Sequence, residues 1–455
     1  MKEFSTRQLA YMIKADCTIS GDSFFTDVSI DSRTIKPGDC FFAIPGENFD
    51  GHNFVEQAFE KGAVCSVVNK GFKSTSNKIL KVNDTVKALG LFAHNYRCQL
   101  KTKVVAITGS VGKTTARHIT FHILSQHYKV FQSPRNFNNN IGLPITLLKT
   151  KPQTDILIAE LGSNRPGEIS YLTKLAMPDI AVVTNISAAH LEGFGNIRTI
   201  AKEKLSIAEG LRENGVLILN GDRNNLKKGL LRKNIRIITF GKTENCNIRA
   251  DNILSSGVSS KFTIDGIKIT IPLPGTGNIE NALAAWAICR QFGIKIEDFS
   301  QGLKNLPPLP MRAELLHIGS LTVLNDCYNA NPASMKNALN ILKNLGSAQN
   351  RRTVFICGDM AELGTRSAEL HVQLGNSIAG AGIKVLFTVG DYAKTVSSSA
   401  GANADYNLQT ESFEDVNSIC NKLKKIIKDY DIILVKGSRI VKLEAVLEKL
   451  RELFQ

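Results

Sequence analysis

Lys103-Val104-Val105-Ala106-Ile107-Thr108-Gly109-Ser110-Val111-Gly112-Lys113-Thr114-Thr115 decides how the rest of the chain is read. An apolar run breaks into a glycine-lysine-threonine loop, then continues to Gln126 with helical periodicity, which predicts strand, phosphate loop and helix. Gly109 and Gly112 permit backbone angles and a close approach that a side chain would block. Consecutive N–H groups can then turn onto an anion at the helix N-terminus. The natural occupant of the cradle Gly109, Ser110, Val111, Gly112, Lys113, Thr114 and Thr115 is a nucleoside triphosphate. Lys113 would lie along its β- and γ-phosphates, and the Thr114 hydroxyl would take one magnesium position. The spacing departs from G-x-x-x-x-G-K-[ST], because Ile107 stands where that pattern puts its first glycine.

A chain of 455 residues exceeds one ordinary core, and a prior of ~150 residues per domain suggests about three. Nine cysteines without a C-x-x-C pair suit free thiols in a reducing compartment and argue against zinc. The start, Met1-Lys2-Glu3-Phe4-Ser5, leads into an amphipathic stretch unlike a signal peptide, and no apolar run reaches membrane-spanning length. A cytoplasmic protein without membrane insertion is expected. The net charge of +15 is dispersed and lacks an aromatic-interleaved basic stripe. A small acidic substrate therefore accounts for its sign better than nucleic acid does.

Ser5-x-x-Gln8 reads as a capping box opening a helix through Ile13. Val28–Arg33 and Cys40–Ile44 read as strands around Lys36-Pro37-Gly38-Asp39, and Gly46–His52 as a polar loop with His52 as a capping residue. From Lys103 to Pro308, strand and helix alternate as a doubly wound parallel sheet requires, with strands at Val104–Ile107, Ile156–Ala159, Ile180–Thr184, Val216–Leu219 and Ile235–Phe240. An Asp265-Gly266 turn marks an antiparallel hairpin, and Asn278–Phe292 has helical period. Past Pro307, Pro308 and Pro310, strands Leu321–Asn325, Thr353–Cys357, Val385–Val389 and Ile432–Val435 alternate with helices, the first of them Pro332–Leu345. The expected fold is α/β in three domains: residues 1–100, 101–309 and 310–455.

Open α/β sheets bind ligands at the carboxyl ends of their strands. Glu160 follows Ile156–Ala159 there, as a magnesium-binding carboxylate paired with a phosphate loop should. The amide-rich loop Asn136–Pro144 can hydrogen-bond phosphate or carboxylate oxygens. Taken alone, Ser32 and Arg33 read as a surface turn, His190 as a structural histidine, and Lys202 and Lys204 as solvated helix residues.

Together, the short phosphate loop, Asn140-Ile141-Gly142-Leu143-Pro144, Glu160-Leu161-Gly162, the His190 segment, Asn278-x-x-Asn281, and Arg312 followed by Asp326 resemble the muramyl ligase family. Asp31-Ser32-Arg33, Phe41–Ile44, Glu160–Asn164, Asp326–Pro332 and Gly358–Gly364 are similar to the branch that joins D-alanyl-D-alanine to a UDP-N-acetylmuramoyl tripeptide in peptidoglycan synthesis. The resemblance implies an N-terminal UDP-binding domain, a central ATP-binding domain with a mostly parallel sheet, and a C-terminal Rossmann-like domain for the amino substrate. It further implies Ser32 and Arg33 at the uridine nucleotide, Asn140 at the substrate diphosphate, Asn278 at the bound ATP, Asn281 at its adenine, Arg312 at the γ-phosphate and Asp326 at the ribose. Lys436 and Ser438, in a stretch that resembles the third domain's closing motif, would bind substrate. Magnesium would be held by Thr114, Glu160, His190 and a carbamylated Lys204, which the family spacing selects over Lys202. Lys113, His190, Lys204 and Arg312 form the catalytic set, in a monomer. Gly277 stands where relatives commonly carry histidine. The runner-up is the diamino-acid-adding branch, whose Asp-Asn-Pro-Arg signature is absent; a nucleotide-dependent binding switch is the alternative outside enzymes.

Overall fold

The computed structural model describes residues 1–17, 21–46, 48–134, 136–222 and 235–455. Three α/β units follow one another along the chain. The first holds a five-stranded sheet in the order Asp16–Cys17, Ile79–Val82, Cys65–Asn69, Cys40–Phe42, Val28–Ser29, parallel except for the first pair. Its opening helix, Thr6–Ile13, carries the expected capping box of Ser5 and Gln8. Two expectations here are corrected. Only Val28 and Ser29 of the stretch to Arg33 pair as strand, since the Asp31 carboxylate and carbonyl accept the N–H groups of Arg33 and Thr34 and close a turn. Asp50, not His52, caps the 3-10 turn Gly51–Phe54. His52 Nε2 instead accepts the N–H of Asn69. Within the Gly46–His52 loop, Glu47 lies outside the described residues.

The middle unit is a seven-stranded parallel sheet in the order Ile248–Arg249, Arg236–Gly241, Val216–Asn220, Ile180–Val183, Lys103–Thr108, Ile156–Glu160, Val130–Gln132. Val104, Val105, Ala106 and Ile107 are fully buried because helices cover both faces, as a parallel sheet demands. The Asp265-Gly266 hairpin joins Ser260–Ile264 to Ile267–Ile271 in a separate three-stranded antiparallel sheet. The last unit carries a six-stranded sheet in the order Glu314–Ile318, Leu321–Asn325, Ile432–Lys436, Thr353–Gly358, Val385–Val389, Gln409–Phe413. Thr353–Gly358 and Ile432–Lys436 are parallel neighbours although far apart in the chain, so their carboxyl ends open side by side on the edge where an open α/β sheet takes its ligands. Among the described residues no helix is long and apolar enough to cross a membrane.

Candidate active site

Strand Lys103–Thr108 lies between Ile156–Glu160 and Ile180–Val183, and its chain turns through Gly109 (φ +145°) and Gly112 (φ +89°) into the helix Lys113–Leu124. A Cβ at Gly109 would fall 2.1 Å from Thr184 Oγ1, and one at Gly112 would fall 2.1 Å from Asn281 Oδ1. Both positions therefore exclude any larger residue. The loop is locked from beneath: Ser110 N–H donates to Asn185 O (2.8 Å), the Ser110 hydroxyl to Ser187 O (2.9 Å), and the Thr184 hydroxyl to Val111 O (2.6 Å). That bracing keeps the cradle's shape fixed at the positive end of the helix.

Lys113 Nζ donates to Gly109 O at 2.8 Å. Burial pulls its pKa down, Arg312 adds to the effect, and Glu160 opposes it. Glu160 is 7% exposed and accepts from Thr114 Oγ1 (3.0 Å) and Asn138 Nδ2 (3.2 Å), with Arg117 Nε 3.6 Å away. Burial raises its pKa, but Lys113, Arg117 and Arg312 outweigh burial and hold the carboxyl below its usual range. An ionised carboxylate beside a threonine hydroxyl fits magnesium, which takes one or two protein oxygens and fills its shell with phosphate and water. Among the described residues no three His, Cys, Asp or Glu side chains converge on a metal, so phosphate oxygens would have to complete the shell.

The helix Ile197–Leu205 exposes Lys202 and buries Lys204 to 2% exposure. Lys204 Nζ donates to Ser163 Oγ at 2.7 Å and sits 5.8 Å over the Phe194 ring. Burial first, and then Lys113, lowers this amine's pKa to about 7. His190 takes a left-handed backbone (φ +52°) and bonds through Nδ1 to Glu362 of the last unit.

On the helix Thr276–Gln291, Asn281 Nδ2 donates to Asn278 Oδ1 at 3.2 Å, and the Gly277 N–H reaches Asn337 Oδ1 across the cleft at 3.3 Å. Facing the loop from the last unit, the Arg312 guanidinium lies 4.1 Å over the Tyr328 ring. Asp326 pairs with Lys436 Nζ at 2.6 Å and accepts the Ala313 N–H at 3.0 Å.

These groups line one cleft of about 830 Å³, which takes in Ser110 through Thr115, Asn140, Glu160, His190, Asn278, Asn281, Arg312, Asp326 and Lys436. Gly109, Lys204, Ser32, Arg33 and Ser438 are outside its lining. Lys204 stands behind Ser163. The Ser32 hydroxyl is donated to Gln57 Oε1 (2.7 Å), and Arg33 pairs with Asp31 (2.7 Å). Ser438 is buried, and its hydroxyl accepts the Ala361 N–H at 2.8 Å, so it shapes the wall without forming it. Asn138, in the amide-rich loop, meets a carboxylate oxygen of Glu160, whereas sequence reasoning missed Arg117 and the partnership of Glu362. Arg117 had a signal, since i+4 spacing puts it on the same helix face as Lys113.

The chain matches the family model described as Mur ligase family, catalytic domain, over residues 25–97; Mur ligase middle domain over residues 107–289; and Mur ligase, glutamate ligase domain, over residues 311–439. It is 36% identical to the UDP-N-acetylmuramoyl-tripeptide–D-alanyl-D-alanine ligase of Escherichia coli strain K12, with 93% of each chain covered. Crystal structure I of MurF from Acinetobacter baumannii superposes with a TM-score of 0.90 at 28% identity over 99% of each chain. MurF ligase from Thermotoga maritima, solved in complex with ADP, gives 0.83 at 27% identity over 94% of this chain and 97% of that one. With three family models covering most of its length and a relative this similar over nine-tenths of it, the chain belongs to the Mur ligase family.

Proposed function

We propose that this chain uses ATP to join D-alanyl-D-alanine to UDP-N-acetylmuramoyl-tripeptide, an amide ligation in peptidoglycan precursor synthesis. One observation carries the reading. Lys113 and the Thr114–Glu160 pair share a cleft with Arg312 and Asp326, which the C-terminal unit presents opposite them. The names of the relatives point the same way. In this reading residues 1–100 hold the uridine nucleotide through Ser32 and Arg33, residues 101–309 bind ATP, and residues 310–455 receive the dipeptide. The enzyme works as a cytoplasmic monomer.

A carboxylate resists attack by an amine because its leaving group would be oxide, so the tripeptide carboxylate is phosphorylated first. Its oxygen attacks the γ-phosphorus, the bond to the bridging oxygen breaks, and ADP leaves. The amine nitrogen then attacks the acyl carbon and loses a proton, and inorganic phosphate departs with the C–O bond electrons. Lys113 and Arg312 offset the repulsion between two anionic reactants and hold them in line. Magnesium, when bound, adds charge neutralisation at the phosphates. Thr114 and Glu160 would hold it. A second cation position would fall to His190 and Lys204, whose buried amine, partly neutral near pH 7, can add carbon dioxide and become an anionic carbamate. Closure of the C-terminal unit over the cleft would keep water from the acyl phosphate.

The test is phosphate release from ATP across a panel of UDP-muramoyl peptides and amino acceptors. Release should require the tripeptide and D-alanyl-D-alanine together. Faster turnover of a free diamino acid with the dipeptide precursor would replace this reading by that of the diamino-acid-adding branch.

A further inference from the structure

We infer that Glu362 is the residue that receives the ammonium group of the incoming amino substrate, an inference that rests on the ligase reading above. Five carboxylates line the cleft among the described residues: Glu160, Glu168, Glu280, Asp326 and Glu362. Glu160 serves Thr114, Asn138 and Arg117. Glu280 is bound by Lys242 Nζ (2.8 Å) and Asn220 (3.3 Å), and Asp326 by Lys436 Nζ (2.6 Å) and the Ala313 N–H (3.0 Å). Glu168 closes a turn by accepting the N–H groups of Asn164 (2.7 Å) and Arg165 (3.1 Å). Among the described residues, the Glu362 carboxylate meets the His190 ring and neither a lysine, an arginine nor a backbone donor. It is about half exposed, so a cation can reach it from the cleft.

Its place in the fold supports the same role. Glu362 follows strand Thr353–Gly358, beyond the carboxyl ends of two parallel strands of the last sheet, where open α/β sheets take their ligands. The loop that presents it is built with care. Met360 N–H donates to buried His371 Nε2 (3.0 Å), Ala361 N–H to the Ser438 hydroxyl (2.8 Å), and Ser438 N–H to Asp359 O (2.9 Å). Glu362 itself takes a left-handed backbone, φ +61°, a conformation that costs a non-glycine residue and persists only where its surroundings enforce it. Across the cleft its carbonyl accepts the Glu192 N–H (3.1 Å), so the carboxylate stands beside the unit that carries the phosphate loop. An ammonium held there comes from the C-terminal side, while the acyl group is activated from the other.

The test is a steady-state comparison of wild type, Glu362→Gln, Glu362→Asp and Glu168→Gln with ATP, magnesium, the UDP-muramoyl tripeptide and D-alanyl-D-alanine, alongside inhibition by N-acetyl-D-alanyl-D-alanine, which lacks the ammonium. Glu362→Gln should raise KM for the dipeptide by ten-fold or more. It should leave the KM values for ATP and tripeptide, the magnesium requirement and ADP binding within two-fold, and Glu362→Asp should recover part of the loss. Wild type should prefer the free dipeptide strongly over its acetylated form, and Glu362→Gln should lose most of that preference. Equal rises in all three KM values would make Glu362 a clasp between units, and a shifted magnesium requirement would make it a support for His190. Either result overturns the inference, as does a larger dipeptide effect from Glu168→Gln. If wild type itself shows no dipeptide-dependent phosphate release, the ligase reading fails before the variants are compared.

Discussion

The middle unit meets its two neighbours in opposite ways. Towards the N-terminal side, helix Thr85–Cys98 packs on the helices Gly142–Lys149 and Glu168–Ala176, and most of the residues of all three are buried or half-buried. Arg97 is fully buried there, donating to Ala176 O (2.9 Å), Met177 O (3.3 Å) and Leu100 O (3.3 Å) and facing Asp179 at 3.5 Å. Buried Tyr96 donates to Thr150 O at 2.6 Å. Towards the C-terminal side, the contacts over the cleft join His190 to Glu362, Asn136 to Tyr328 and Gly277 to Asn337, all of which line it. Bonds at that surface can exchange with water and substrates at small cost, whereas the carbonyls that a buried arginine serves have no substitute donor. The first surface is therefore expected to hold when the protein turns over, and the second to be the one that parts.

The largest effect should fall at the second surface and spare the fold. Lys113→Ala removes the cation that follows the moving phosphoryl group, and ligation should drop by about a thousand-fold or more with an unchanged melting temperature. Near-normal turnover in that variant, measured as ATP-dependent amide formation, would end the assignment of the loop. Arg97→Ala should do the reverse. It strands three buried carbonyls and leaves a cavity, while Asp179 keeps Lys103 Nζ (3.0 Å) and the Val104 N–H (2.9 Å), so urea unfolding should show a loss of about 3–5 kcal/mol while the folded fraction keeps its turnover. Turnover that falls in proportion to stability would show instead that both surfaces serve the chemistry.

This contrast was only half legible in the sequence. Lys103–Thr108 announced itself because a strand buried on both faces reads as an unbroken apolar run, and the glycines behind it left one plausible turn. Gln409–Phe413 gave no such sign: it is an edge strand, and four of its five residues are polar or charged along a half-solvated rim. Thr114 with Glu160 followed from strand order alone. The His190–Glu362 contact, 172 positions apart, did not, because packing of two separate sheets sets it and no local pattern encodes that. Lys202 and Lys204 differ in the sequence by position only; the side of one helix decides that the second is buried.

That burial carries a pH signature. The Lys204 amine has its pKa lowered from 10.5 to about 7, so between those values the unfolded chain binds a proton there that the folded chain does not. Stability from this group accordingly rises with pH across that window, and below about pH 7 the folded chain bears the cost of a buried charge. Lys204→Met should therefore gain more stability relative to wild type at pH 6 than at pH 9, read from urea midpoints. The same variant should lose about a hundred-fold or more in turnover if a carbamate at this position holds a second cation. Acetate or formate should restore part of the activity of Lys204→Ala. Carbon-13 NMR of active enzyme supplied with labelled bicarbonate should show the carbamate, and an ammonium in enzyme that turns over would exclude it.

The smallest expected effects are the sharpest comparison, because the same substitution can be made at both surfaces. Tyr96→Phe removes a hydroxyl that donates to Thr150 O deep between the first two units. Tyr328→Phe removes a hydroxyl bonded to the Asn136 side chain across the cleft and leaves its ring beneath the Arg312 guanidinium. Each loses one hydrogen bond, worth about 0.5–1.5 kcal/mol net, but the penalty should appear in different measurements. For Tyr96→Phe it should be a lowered unfolding midpoint with unchanged kcat and KM, since the stranded carbonyl is buried in a surface that does not move in turnover. For Tyr328→Phe it should be a fall of about two- to ten-fold in kcat/KM with little change in melting, since its partner Asn136 meets water once the units part. Tyr328→Leu should go further, because it also takes away the ring that orients Arg312, a contact worth about 0.5–2 kcal/mol. Should both phenylalanine variants lose stability alike and leave turnover alone, the cleft surface would be as fixed as the buried one, and substrate entry would need another route.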